Sequence, residues 1–415
     1  MAATTHKTRS SPDLPMRIDV FFDVYPHPAK PYFEAQLTEW HRQGHQLRLF
    51  SNGRIPGATS EFPITFVHTL RERPVRLLAR ILWRAVTHPA RSWRIAHGGR
   101  RPLQIVKLLA TDAQLPTRAP DVHFVHNLAT AVRFSYLRYA APHTTLAIYY
   151  HGGEIPGVRQ IQLTESAEAL GRAHIVFSNT RASVAEAITR GAPADRTVAI
   201  PVGFPLERFV VPADRCHLPE NHWRFVCVGR MAPEKGFDIA LHAFSALRNH
   251  TASFSVTFIG GGPELDNLRQ LAERLRIGEF IRFLGHVPFN KLIPLLAKFD
   301  VLIHCSRTIS GSNCSETQAT VLQEAMLMRT IIVASDLGGV RESLPVALHQ
   351  YLYSPGSAPE LLRRLVAVTT HNSDSLCTLG ETARQFVLQR YDIRKVNSEI
   401  LNMLTRITTE NRTVT

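Results

Sequence analysis

Residues 224–248 read RFVCVGRMAPEKGFDIALHAFSALR. An apolar run, Arg224 to Val228, has the length of a buried strand and breaks at Gly229. A short polar loop follows, and then Phe237 to Arg248 repeats apolar residues at helical spacing. A strand, a glycine-bearing loop and a helix in that order make half of a βαβ unit. Parallel strands need such helical crossovers and are covered on both faces, so they read as unbroken apolar runs.

The pattern continues downstream. Strands are read at Phe254 to Ile259, Ile281 to Leu284, Val301 to His304 and Ile331 to Ala334. Helices are read at Glu264 to Leu275, Lys291 to Lys298 and Gln318 to Arg329, with more near 358–370, 378–390 and 394–407. Upstream, Met16 to Phe22, Gln46 to Phe50, Val122 to Val125, Leu146 to Tyr150, Ile175 to Ser178 and Thr197 to Pro201 read as strands. Tyr32 to Gly44, Leu128 to Ala140 and Arg181 to Arg190 read as the helices between them. The sequence thus predicts an α/β chain of two Rossmann-like, doubly wound parallel-sheet domains. Residues 16–210 form the first, 211–222 a linker and 223–392 the second. Residues 393–415 form a closing helix and tail, and 1–15 a polar, frayed start. Ligands of open α/β sheets bind beyond the carboxyl ends of the strands, so a cleft between two such domains is the expected site.

The 415 residues and 44% apolar content are enough for large cores. Five cysteines, at 216, 227, 305, 314 and 377, form no C-x-x-C pair. They point away from a disulfide framework or zinc site and toward a reducing, cytoplasmic setting. No stretch approaches the ~20 apolar residues of a membrane span. The net charge of +14 suits an anionic partner. Between Arg71 and Arg101 nine arginines and one glutamate alternate with leucines and two tryptophans, a basic amphipathic segment suited to an anionic membrane surface. No helix-turn-helix or RNA-binding aromatic signature accompanies the charge, so nucleic acid is not an expected partner. No G-x-G-x-x-G follows the first strand, which disfavours a nicotinamide enzyme.

Three clusters carry chemistry. In Gly229-Arg230…Lys235, a glycine lets the backbone approach a ligand, and two cations at a strand's carboxyl end suit a diphosphate. Fixed positive charge there would stabilise a departing diphosphate. Next, Glu316 is read at the end of a polar loop and Glu324 about two turns along the helix that follows, roughly 12 Å away, able to accept hydrogen bonds from a hexose and a ribose. His151, at the end of an apolar strand and followed by Gly152-Gly153-Glu154, would face the cleft as a hydrogen-bonding or proton-carrying group.

These motifs, with Gly260-Gly261-Gly262-Pro263-Glu264, Phe283-Leu284-Gly285-His286-Val287 and Gly338-Gly339-x-x-Glu342, follow one another as in the retaining family 4 glycosyltransferases, which the chain resembles over residues 16 to 405. The resemblance implies a GT-B fold and a nucleoside-diphosphate-sugar donor in the second domain, a UDP-sugar first and a GDP-sugar as the alternative. It also implies an acceptor on the first domain, retention of anomeric configuration and no metal. By the same resemblance Arg230 and Lys235 hold the diphosphate, Glu316 the donor sugar and Glu324 the ribose. His286 and Val287 line the base pocket, and Gly229 and Gly262 shape the approach. His151 stands near the reacting sugar. Thr317, where the family usually has glycine, would narrow the sugar pocket. The expected acceptor is an envelope polysaccharide or lipid-linked glycan. A small acceptor such as an aminocyclitol, a sugar-nucleotide epimerase and a non-catalytic binding protein are the competing readings.

Overall fold

The computed structural model describes residues 15–27, 31–98, 102–152, 163–212, 222–250, 253–309 and 316–413. The frayed start, most of the linker, Gly153-Glu154 and part of the polar loop after Cys305 lie outside these. The first domain holds seven strands: β1 (Arg17–Val24), β2 (Gln46–Gly53), β3 (Ile64–Phe66), β4 (Val122–His126), β5 (Thr145–Tyr150), β6 (Ile175–Ser178) and β7 (Thr197–Ala199). They lie in the order β3-β2-β1-β4-β5-β6-β7, all parallel. The second domain holds β8 (Trp223–Val228), β9 (Phe254–Ile259), β10 (Ile281–Gly285), β11 (Val301–His304), β12 (Ile331–Ser335) and β13 (Leu352–Tyr353). Their order is β10-β9-β8-β11-β12-β13, again parallel.

Both sheets reverse direction at their first strand. The switch points lie between β1 and β4 and between β8 and β11. There the crossovers leave to opposite faces and open a crevice at the carboxyl ends.

The second domain has one continuous core, while the first sheet has a separate core on each face. One of these is completed by the last helix, Ile393–Thr413, whose Val396, Ile400, Leu401 and Leu404 pack among Ile18, Phe33, Trp40 and Phe124. At spacings of four, one and three these residues make an apolar stripe, and the first domain covers it. The chain therefore crosses between the domains twice.

Two local readings change, and further elements join them. The segment read as one helix from Leu128 to Ala140 is two, Leu128–Phe134 and Leu137–Ala140. The helix read from Gln318 opens at Thr320, because the Gln318 side chain bonds both the N–H and the carbonyl of Val202 in the other domain. Strand β3 joins the sheet edge without having been read, and the basic segment folds into helices Pro74–Thr87 and Pro89–Gly98.

Candidate active site

Beyond the end of β8 the chain turns through Gly229 and Arg230 into a short 3-10 turn, Pro233–Lys235, and then Gly236. Gly236 has φ +62°, and a Cβ there would sit 2.2 Å from the carbonyl oxygen of Cys305. Glycine is thus what lets this loop press onto the end of β11. That contact brings Lys235 to the residues that follow β11. Its Nζ donates to Glu316 Oε2 at 2.5 Å. Ser306 Oγ donates to the same oxygen at 2.8 Å, and His304 Nε2 lies 3.5 Å from it. Burial pushes the Glu316 carboxyl upward, but Lys235 and His304 hold it well below the usual carboxylate range. Arg230 pairs with Glu234 one turn away.

These groups border a cavity of about 500 Å3 at the second switch point, lined by Gly229, Arg230, Lys235, Gly260, Gly261, His286, Val287, Glu316, Gln318 and Glu324, with Pro31 contributed by the first domain. Glu324 lies on helix Thr320–Leu327 and is buried, which pushes its carboxyl up to about 7. One acid is therefore held ionised by a cation, while the other is left near neutrality by its apolar surroundings. Glu316 stands ahead of the helix that carries Glu324, at the end of the polar loop as read from the sequence.

His151 follows β5 on the facing domain. Its ring stacks on Tyr149 at 4.4 Å and 5°, and its Nε2 is 2.9 Å from His126 Nδ1. One of these rings donates and the other accepts, which couples their tautomers. The His151 carbonyl accepts from Thr317 Oγ1 at 2.9 Å, and Thr317 neighbours Glu316 in sequence. This bond ties the His151 backbone to the residue after Glu316, but the His151 side chain lines a separate, small cavity with Tyr32, Phe33 and Tyr149 and not the cavity that Glu316 borders.

Thr317 and Gly262, both expected at the donor site, do not line the cavity. Thr317 is buried at the domain junction, where its hydroxyl also accepts from Asn179 Nδ2 at 3.3 Å, and it does not line the cavity. Gly262 packs against Met231, whose carbonyl oxygen would be 2.4 Å from an added Cβ. Its role is to shape the backbone beside the crevice. His304, Ser306 and Gln318 were not read as site residues. His304 carried the same signal as His151, a polar residue closing a buried strand at a switch point. Ser306 and Gln318 gain their roles only from tertiary contacts. Among the described residues no cluster of three or more His, Cys, Asp or Glu could hold a metal ion.

Residues 214–386 match the family "Glycosyl transferases group 1". The chain is 21% identical over 410 residues to a putative colanic acid biosynthesis glycosyltransferase, WcaL, of Salmonella typhimurium, covering 94% of this chain and 100% of that protein. It is 27% identical over 224 residues to a GDP-mannose-dependent alpha-(1-6)-phosphatidylinositol monomannoside mannosyltransferase of Mycobacterium tuberculosis, covering 52% of this chain and 57% of that one. Among solved structures, Anabaena HepE in complex with UDP superposes with a TM-score of 0.69 at 19% identity, over 94% of this chain and 100% of HepE.

Proposed function

We propose, from the premise that the chain is a group 1 glycosyltransferase of the GT-B fold, that it moves a hexose from a nucleoside-diphosphate sugar to an acceptor hydroxyl with retention, in the making of a cell-envelope glycan. The observation that carries the reading is the cavity in which two cations, Arg230 and Lys235, meet two carboxylates, Glu316 and Glu324, at the second switch point. A diphosphate would replace Glu316 and Glu234 as the partner of the two cations. Glu316 would then be released to accept hydrogen bonds from the donor sugar, and Glu324 would accept from the ribose. In the reaction the acceptor oxygen bonds to the anomeric carbon on the face that the leaving group departs. The bond from that carbon to the phosphate oxygen breaks, and the acceptor proton passes to the departing phosphate. Arg230 and Lys235 offset the charge that develops there.

Support for a UDP-sugar comes from the HepE structures, solved with UDP and with UDP-glucose. The GDP-mannose-dependent relative supports a GDP-sugar as the alternative. The envelope acceptor is suggested by the colanic acid relative. On helix Pro74–Thr87, Val75, Leu78, Leu82 and Val86 are 79%, 50%, 69% and 81% exposed, beside Arg76 and Arg80. That face suits the surface of an anionic bilayer on which a lipid-linked acceptor would reside. No helix among the described residues is long and apolar enough to cross a membrane.

The test is a titration of purified protein with UDP-, GDP-, ADP- and dTDP-sugars, following donor loss and nucleoside diphosphate release. Binding or slow hydrolysis of one donor, weakened in Arg230→Ala and Glu324→Ala, is expected. Folded protein that binds none of the four would end this reading.

A further inference from the structure

In the cavity at the second switch point Glu316 is held unevenly. Lys235 Nζ, Ser306 Oγ and His304 Nε2 all meet its Oε2, at 2.5, 2.8 and 3.5 Å. Among the described residues no group donates to Oε1. The carboxylate is anchored by one oxygen and presents the other to the cavity. The three anchors differ in how far they can move. Lys235 reaches Oε2 from the facing loop on a flexible four-carbon stem, and its side chain is 26% exposed. His304 and Ser306 are buried at the end of β11. The carbonyl of His304 accepts from the Tyr353 hydroxyl at 3.3 Å, and the carbonyl of Cys305, between the two, is pressed against Gly236. That strand end is fixed from both sides, so neither residue follows Lys235 when its side chain swings away.

The two fixed anchors form a chain with a definite direction. Ser306 Oγ lies 2.8 Å from Glu316 Oε2 and 3.1 Å from His304 Nε2. A hydroxyl has one proton and an ionised carboxylate can only accept, so that proton is committed to Glu316. The bond between His304 and Ser306 therefore requires the imidazole proton on Nε2, which leaves Nδ1 a bare lone pair. Nδ1 is buried and has no hydrogen-bond partner among the described residues, which suits this tautomer, since an N–H buried there without an acceptor would be costly. The order is His304 N–H to Ser306 O–H to Glu316 carboxylate, and each donor polarises the next.

We infer that His304 and Ser306 are positioning residues for the donor sugar: they hold Glu316 by Oε2, with Oε1 toward the sugar hydroxyls, after Lys235 has moved to the diphosphate. Without them the part-buried carboxylate would lose its donors at the moment the nucleotide sugar arrives, and it would be free to turn away from the sugar. The inference rests on the transferase reading above and adds to it two residues that act through Glu316.

The test compares the nucleotide sugar selected by the titration above with its own free nucleotide, UDP for a UDP-sugar or GDP for a GDP-sugar, on the full chain. Ser306→Ala and His304→Leu should bind the free nucleotide within about twofold of the parent and the nucleotide sugar about tenfold more weakly. His304→Gln keeps an N–H donor within reach of Ser306 and should recover to within about threefold of the parent. In a Glu316→Gln background His304→Leu should have no further effect, because it acts through that carboxylate. Equal loss of nucleotide and nucleotide sugar, or a loss that adds to that of Glu316→Gln, would make the two residues merely structural and overturn the inference. So would undiminished affinity for the nucleotide sugar in Ser306→Ala, which removes a single atom and decides the matter if His304→Leu fails to fold. If the parent binds a nucleotide sugar and the variants show no sugar-dependent loss, the positioning role alone fails; if it binds none, the transferase reading fails with it.

Discussion

Lys235 Nζ and Glu316 Oε2 lie 2.5 Å apart, so the cation best placed for a diphosphate is neutralised by a carboxylate from across the second switch point. On the proposed reading, donor binding exchanges this partner for phosphate. Lys235→Ala should lower kcat/KM by about 10²–10³, the range found when one preorganised charge donor is removed. Glu316→Gln bears on stability as well. Its folded pKa lies well below the ordinary value of 4.5, so its contribution is present above 4.5 and disappears only as pH falls through that lower folded value. The variant should be less stable than the parent by about 1–3 kcal/mol at pH 7. The gap should close only well below pH 4.5. Thermal melts at several pH values read both outcomes, and a gap that closed near neutrality would contradict the pairing.

Glu324 behaves in the opposite sense. Burial raises its carboxyl from 4.5 to about 7, so the folded state holds a proton that the unfolded chain has lost. The resulting contribution is full below 4.5 and is lost as pH rises through about 7. Glu324→Gln cannot lose that proton. Relative to the parent it should therefore gain stability between pH 4.5 and 7, by on the order of 3 kcal/mol. A ribose hydroxyl that donates to this group requires the carboxylate, so nucleotide binding should release a proton near pH 7 and tighten as pH rises. Calorimetry in buffers of different ionisation enthalpy measures that proton, and its absence would remove Glu324 from the ribose.

The domain junction is sterically exact at one point. Gly152 has φ +99°, and a Cβ there would lie 2.2 Å from Thr317 Cγ2. Gly152→Ala should destabilise the protein by about 1–3 kcal/mol through clash and backbone strain together. Adding Thr317→Ser removes the offending methyl while keeping the hydroxyl that bonds His151. The double variant should recover part of the loss, with a coupling of about 1 kcal/mol. Strictly additive effects in denaturant melts would show that the two residues do not meet.

A second tie crosses the domains at Glu342, whose two oxygens accept from the backbone N–H groups of Arg181 and Ala182 at 2.8 and 2.7 Å. A carboxylate of one domain thus caps a helix of the other, with charge and dipole both favourable. Loss of a cap is worth about 1 kcal/mol, or roughly fivefold in an equilibrium constant. Glu342→Ala should shift the domains toward an open arrangement, seen as a larger radius of gyration in small-angle scattering, and raise the donor KM by a similar factor. An unchanged scattering profile with unchanged KM would confine this contact to the closed state's surface.

What could be read in advance follows from where the information lies. Strands such as Val301–His304 are buried on both sides and so spell themselves as apolar runs, whereas β3, three residues at a half-covered edge, leaves no such trace. Gly229, Arg230 and Lys235 are local to one loop, so their spacing was enough to group them, and all three line the cavity at the second switch point. Thr317 is different. Its partners His151 and Asn179 are 166 and 138 residues away, so nothing near it in sequence distinguishes a pocket residue from a junction residue. Gln318 misled in the same way: a bond to Val202, 116 residues distant, holds it out of the helix that its neighbours suggest.

The basic segment offers the last prediction. Helix Pro74–Thr87 buries only Leu77 and Arg84 against the domain, and Arg84 reaches inward to donate to the carbonyls of Asp112 and Leu115. The remaining faces present Leu82 and Trp83, 69% and 60% exposed, to solvent. Apolar side chains in that setting gain by entering a lipid interface, at about 25 cal/mol per Å2 removed from water, and each nearby arginine adds about 1 kcal/mol on an anionic surface. The protein should sediment with vesicles containing anionic lipid and be released by salt. Leu82→Glu with Trp83→Glu should abolish that binding while leaving the melting temperature and nucleotide affinity unchanged, since neither side chain supports the core. Equal binding to neutral and anionic vesicles would remove the arginines from the interaction. Failure to bind either would leave the exposed row without a membrane role.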